Sequence, residues 1–194
     1  KKAVEYFDQA IALDPTWPLG YAGLADAYLL MPWYTPVRPS EAIPKAKAAA
    51  DKALEMDESL PEAHATMAFI ATMYNWNWRI AEREYQRALA LSPNYATAHQ
   101  WYAVRLQWMG RHDEAIKEIT KAQELDPLSL IIGSAAGQVY YLAGDLEQAE
   151  AQLRKTLELD ADFAGARSRL AKTLFVQGRL AEAITEAREA VRLS

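Results

Sequence analysis

Leu125-Asp126-Pro127 decides the fold, because the same phrase returns along the chain at a nearly fixed interval. It stands again as Leu13-Asp14-Pro15 and, with one change, as Leu91-Ser92-Pro93. Weaker copies are Met56-Asp57-Glu58 and Leu159-Asp160-Ala161. The third members lie 43, 35, 34 and 34 residues apart. A second marker keeps the same register. Alanine stands twelve residues before each third member, at Ala3, Ala46, Ala81, Ala115 and Ala149, and Ala183 continues the series. A further alanine follows seven residues on, at Ala10, Ala53, Ala88, Ala122 and Ala190, with Thr156 the exception. Residues seven apart share one face of a helix, and a small side chain there lets a neighbouring helix approach closely. Gly110, Gly144 and Gly178 recur 34 apart, where one helix must end and the chain reverse.

Self-similarity at such a period marks an array of helix pairs, none of which could bury its apolar face alone. The register divides the chain into a partial copy at 1–17 and five copies at 18–60, 61–95, 96–129, 130–163 and 164–194. Each full copy is expected to be an antiparallel pair, helix A then helix B. The chain begins with its helical pattern already running, and reads as a piece of a longer one.

These markers resemble those of the tetratricopeptide repeat family, whose 34-residue pattern is W-x2-L-G-x2-Y, then A-x3-F, then P. Ala3-x3-Phe7 with Pro15 fits it, as do Gly137-x2-Tyr140 with Ala149-x3-Leu153. So do Tyr102-Ala103-x2-Leu106, Ala115-x3-Ile119 and Pro127. The leading tryptophan slot departs throughout, holding Tyr21, His64, His99, Gly133 and Arg167. The resemblance implies an all-α solenoid of stacked antiparallel helix pairs, wound as a right-handed superhelix with the A helices lining its concave side. It implies a non-catalytic scaffold for protein–protein interaction.

Two corners depart from the repeat. Residues 31–39, Met31 to Pro39, carry extra length and three prolines, and are expected to form an inserted loop, with Ser40 capping the helix that follows. Trp33 and Tyr34 on that loop either fold back onto the helix pair or present a binding feature. In Tyr74-Asn75-Trp76-Asn77-Trp78, Asn75 or Asn77 is expected to cap a helix, with one tryptophan packed inward and the other on the seam between copies. A "WNW" corner and a proline-containing first loop resemble tetratricopeptide stretches of larger bacterial regulatory proteins, attached to signalling or DNA-binding domains.

Composition excludes several functions. The chain has 194 residues, 51% hydrophobic and 24% charged, with net charge −5 and no cysteine. Cysteine-ligated metal and disulfide frameworks are therefore excluded, and no apolar run is long enough to span a membrane. The lack of cysteine fits a cytoplasmic protein. An acidic balance with scattered basic residues argues against nucleic-acid partners. His64 and His99 occupy one repeat slot and His112 a polar turn, so the three histidines form no metal triad; Glu82 and Glu84, two apart on a helix, face different ways. No phosphate loop or nucleophile motif is present. The chain is expected to be neither an enzyme nor a cofactor protein.

By the resemblance, ligands touch helix A at positions i, i+4, i+7 and i+8. That stripe yields a candidate groove of Phe69, Met73, Gln100, Val104, Gln107, Trp108, Gln138, Tyr141, Leu142, Lys172 and Phe175. The family's best-known grooves grip a chaperone's C-terminal carboxylates with cationic residues. Here Ala22, Ala65 and Gln100 stand where lysine is needed, so the expected ligand is an apolar peptide or helix. The competing reading of Trp108, Tyr141 and Phe175 is packing between A helices. A second class of function is self-association through the terminal helices, the last of which carries Ile184, Ala187 and Val191.

Overall fold

A computed structural model describes residues 2–194; Lys1, the first residue of the partial copy, lies outside them. Eleven α-helices and no strand occur among the described residues. They are α1 (Lys2–Leu13), α2 (Pro18–Tyr34), α3 (Pro39–Met56), α4 (Pro61–Met73), α5 (Trp78–Leu91), α6 (Ala96–Trp108), α7 (His112–Leu125), α8 (Leu130–Ala143), α9 (Leu146–Leu159), α10 (Ala164–Val176) and α11 (Leu180–Arg192). The fold is all-α, of the helical-repeat solenoid class. The helices fall into two compact units, residues 1–98 and residues 99–194.

In the first unit α2 packs against α1, α3 and α4, and α4 against α5. Its core gathers Leu24, Ala25, Ala49 and Ala50, over which Phe7, Ile11 and Met67 close. In the second unit α8 packs on α7, α9 and α10, and α10 on α9 and α11. Leu153, Ala166, Leu170, Leu174 and Ala183 form its core, with Leu157 and Phe163 against them.

The repeated alanines have the cause that their spacing suggests. Ala46, Ala53, Ala81, Ala88, Ala115, Ala122, Ala149, Ala183 and Ala190 are all buried, each on a B helix where an A helix comes close. The exception explains itself. Thr156 is also buried, and the slot facing it on α8 is Gly133, where an added Cβ would stand 2.4 Å from the Thr156 hydroxyl. The larger residue on one helix is matched by the smallest on the other. Gly137 makes a like fit: its Cβ would stand 2.4 Å from Leu153 Cγ, inside the core. Gly137→Val is therefore expected to destabilise the second unit by about 1–2 kcal/mol, an overpacking cost, read as a lowered urea midpoint.

The turns follow from local chemistry. Gly110, Gly144 and Gly178 have φ of 72°, 84° and 80°, the left-handed region in which glycine carries no Cβ penalty. After B helices the aspartates fold the chain by themselves. Asp14 Oδ1 accepts from Thr16 N at 2.9 Å, Asp57 Oδ1 from Ser59 N at 2.9 Å, and Asp160 Oδ1 from Asp162 N at 2.9 Å.

Three expectations about the corners need correction. Residues 31–39 are not one loop: α2 runs on through Pro32 to Tyr34, and only residues 35–38 connect it to α3. Proline falls in the last turn of α2, where Thr35 Oγ1 donates to Met31 O at 2.8 Å and closes the helix end. Ser40 is not the cap of α3, which starts one residue earlier with Pro39, on an extended Arg38. Trp33 and Tyr34 do not fold back onto the pair, being 59% and 73% exposed. Asn77, rather than Asn75, caps α5 by accepting from Ile80 N at 3.1 Å. Trp78 is half-buried and Trp76 exposed, the two rings meeting edge to face at 5.7 Å.

Candidate ligand groove

The faces of interest belong to the A helices, and each unit carries its own. In the first unit α2 and α4 lie side by side, placing Asp26 against Thr66, whose hydroxyl donates to Asp26 Oδ1. Phe69 is buried and Met73 half-buried. Burial pushes the Asp26 carboxyl up to about 6, the bond from Thr66 opposes this, and the Glu62 charge adds to it. The Tyr95 phenol is pushed up as well, chiefly by burial and then by the Asp26 and Glu62 charges. This unit thus gathers Asp26, Glu62 and Tyr95 in a largely buried acidic corner.

In the second unit the stripe divides. Gln107 is buried at 3% exposure, which leaves it no surface for a ligand, and Gln100 and Val104 are half-buried. Phe69 and Gln107 are therefore packing residues: a four-position stripe wraps far enough around a helix to include the side turned to its neighbours. Trp108, Leu142 and Phe175 are exposed at 43%, 40% and 64%, while Gln138 and Tyr141 are half-buried and Lys172 exposed.

Between α8 and α10 lies a half-open cavity of about 420 Å³. Gln138, Tyr141 and Leu142 line it from α8, and Ser168, Arg169 and Lys172 from α10. The backbone at Gly137 and Gly165 completes the lining. Arg169 is the residue that the stripe misses, standing one position past Ser168. Its Nε donates to Gln138 Oε1 at 3.0 Å and its Nη1 to Ser134 Oγ at 3.0 Å and Gly165 O at 3.3 Å. All three acceptors are neutral, and burial pulls the guanidinium pKa down from its ordinary value. A second, more open recess of about 680 Å³ adjoins the first through Tyr141, Ser168 and Lys172 and runs over Phe175, Val176, Leu180 and Ile184.

The histidines belong to a structural device that recurs with the repeat. His64 Nδ1 meets Glu84 Oε2 at 2.7 Å, and His99 Nδ1 meets Glu118 Oε2 at 2.6 Å. Arg167 Nη1 donates to Glu186 Oε2 at 2.7 Å in the corresponding place. Each bond ties an A helix to the B helix of its own pair. The spacing of Glu84, Glu118 and Glu186, at 34 and 68 residues, carried that signal in the sequence. Among the described residues no cluster of His, Asp and Glu has the makings of a metal site, and no helix is long and apolar enough to cross a membrane.

Helix pairs repeated in register, with an open groove between successive A helices, define a helical-repeat interaction scaffold. Models of the tetratricopeptide repeat match residues 106–127 and 140–192. Over these two stretches the chain carries tetratricopeptide repeats. Repeats of this kind are in general non-catalytic. The transcriptional regulator HilA of Salmonella typhimurium is 28% identical over 133 residues, which are 69% of this chain and 24% of HilA. The chain thus spans about a quarter of the length of that curated relative. A human IFIT1 dimer with m7Gppp-AAAA superposes with a TM-score of 0.83 at 17% identity, over 98% of this chain and 46% of IFIT1. YrrB, described as a tetratricopeptide repeat protein with an unusual peptide-binding site, superposes with a TM-score of 0.61 at 20% identity, over 99% of this chain and 94% of YrrB.

Proposed function

We propose that this chain binds a peptide or a segment of a partner protein along its A helices, chiefly in the α8–α10 groove, and performs no chemistry on it. In this reading α1 is the second helix of a partial copy, and α2–α3, α4–α5, α6–α7, α8–α9 and α10–α11 are the full ones. The observation that carries it is the open groove itself: exposed Leu142, half-buried Tyr141 and Gln138 line its first part, and Tyr141 continues into the recess that holds exposed Phe175. Apolar anchors with a few polar groups are what a peptide lying along a helical groove needs. The peptide-binding site of YrrB, a protein of the same fold, supports the reading.

Tyr141→Ala and Phe175→Ala are each expected to weaken a peptide selected against the wild-type chain by about tenfold, the size of a modest hot spot. Fluorescence anisotropy measures it, with thermal unfolding as the control for folding. A peptide held equally well by the double variant sinks the proposal.

One observation favours a second reading, an assembly module that regulates an attached domain. Val176, Leu180, Ile184 and Val191 form an apolar face that is more than half exposed at every position. The likeness to a transcriptional regulator adds to it. Light scattering during the same titration separates the two: a mass that doubles without peptide favours assembly, and a constant monomer favours the groove.

A further inference from the structure

The α8–α10 cavity holds a cation that the fold does not neutralise. Arg154, Arg167 and Arg179 of the same unit each meet a glutamate, at 2.8, 2.7 and 2.6 Å. Arg169 meets none: among the described residues no carboxylate lies within ion-pair distance of it or of Lys172. Charge placement explains why. The α10 segment AGARSRLAKTLFV contains no acidic residue, and the α8 segment LIIGSAAGQVYYLA contains no charged residue at all. Arg167 is taken by Glu186, which leaves Arg169 and Lys172, three apart on α10, facing a cavity with no negative charge in its lining.

Taking a guanidinium from water without a counter-ion is unfavourable, and three neutral acceptors only partly replace its hydration. An arriving carboxylate gains charge-assisted bonds to a donor already held in place by Gln138, Ser134 and Gly165. Little side-chain entropy is then lost on binding. Beyond Lys172 the recess turns apolar, over Phe175, Val176 and Ile184.

We propose that this cavity is an anion subsite, which takes the side-chain carboxylate of an Asp or Glu within a bound peptide while an apolar residue of the same peptide rests on the Phe175–Ile184 face. Arg169 is half-buried beneath exposed Ser168 and Lys172. A projecting side chain reaches it while the peptide backbone stays outside. The inference rests on the peptide-groove reading and gives it a specificity: an acidic residue followed by a large apolar one.

The test is a panel of N-acetylated, C-amidated octapeptides with one central Glu and one Leu at varied offset, each with a twin carrying Gln for Glu. The best Glu peptide is expected to bind the wild-type chain about tenfold more tightly than its Gln twin, a preference that fades as salt rises. Arg169→Gln is expected to abolish the preference and leave the Gln twin's affinity unchanged. Exposed Lys172→Gln, which keeps the fold in any case, is expected to reduce it by about threefold. Equal binding of Glu and Gln twins overturns the subsite and leaves the groove standing. Failure of every peptide overturns both. A gain that appears only when the C-terminal amide is replaced by a free carboxylate overturns the side-chain assignment, and tighter binding of a single-stranded RNA octamer than of any peptide overturns the peptide as the occupant.

Discussion

Leu170→Ala is expected to cost the second unit about 3 kcal/mol, and to lower the urea midpoint of that unit while leaving the first unit's transition in place. Leu170 is fully buried in α10, within a core shared with Leu153 of α9, Leu174 of its own helix and Ala183 of α11. It therefore joins three helices from two successive pairs. Removing its side chain loses both the transfer free energy of the buried carbons and the contacts around the cavity left behind. Relaxation cannot recover much. Of its neighbours, Ala166 and Ala183 have little side chain to move, and Leu153 is packed against Gly137 on its other side. In a helical repeat, stability is close to a sum of pair and interface contributions, so the loss stays local. A midpoint shift of both units together would show that the cooperative block is larger than residues 99–194.

The parts of this fold that were legible in the sequence are those set by one residue type at a fixed spacing. Buried alanine on B helices, left-handed glycine between helices and the aspartate turn each act through a short stretch of chain, so their period shows directly. The corner at Met31–Pro39 misleads because proline has two meanings. At Pro32 it sits in a final helical turn, and at Pro39 it opens a helix; composition alone sees three breakers. Asn77 and Asn75 could not be separated, because the choice of cap depends on where the chain leaves α4.

The groove was half legible. Tyr141, Leu142, Lys172 and Phe175 reach solvent from the stripe assigned to them, and Phe69 and Gln107 do not. Exposure depends on what the next helix covers, which a periodic stripe does not encode. Arg169 was missed for a related reason. It stands off the stripe, and what makes it notable is the lack of acid on two helices 31 residues apart, which the bond to Gln138 brings together.

Asp26→Asn is expected to stabilise the first unit by about 2–3 kcal/mol near pH 8, and by almost nothing near pH 4. The amide oxygen of the variant would still accept the hydrogen bond from Thr66, so the substitution removes a charge and little else. The argument is one of sign. Burial, with the Glu62 charge as a lesser contribution, raises the folded carboxyl from 3.8 to about 6. Between those values the folded unit holds the proton more strongly than the unfolded chain does. Stability therefore falls as pH rises through this window, and above about 6 the full penalty remains, which the neutral side chain escapes. His64 acts in the same direction by another route. Burial, the largest single influence, lowers its pKa, but the bonds to Glu84 and to the Glu58 carbonyl, together with the Glu84 charge, outweigh it and raise the pKa above 6.5, against a smaller opposing effect from Arg87. Its stabilisation is complete below 6.5 and is lost as pH rises through the folded value. Glu84 sets the lower limit: the bond from His64, then Arg83, holds it below 4.5, so its contribution is lost as pH falls through that lowered value. The first unit should accordingly be most stable at the low end of this window, near about pH 4, above which the Asp26 penalty grows and below which the Glu84 contribution is lost, and urea midpoints across pH should show the wild-type optimum there. In Asp26→Asn the optimum should broaden toward neutral pH, because only the loss from His64 remains. A pH-independent gain would mean that Asp26 is ionised at the same pH folded and unfolded, and that the corner is wetter than the packing of α2 on α4 implies.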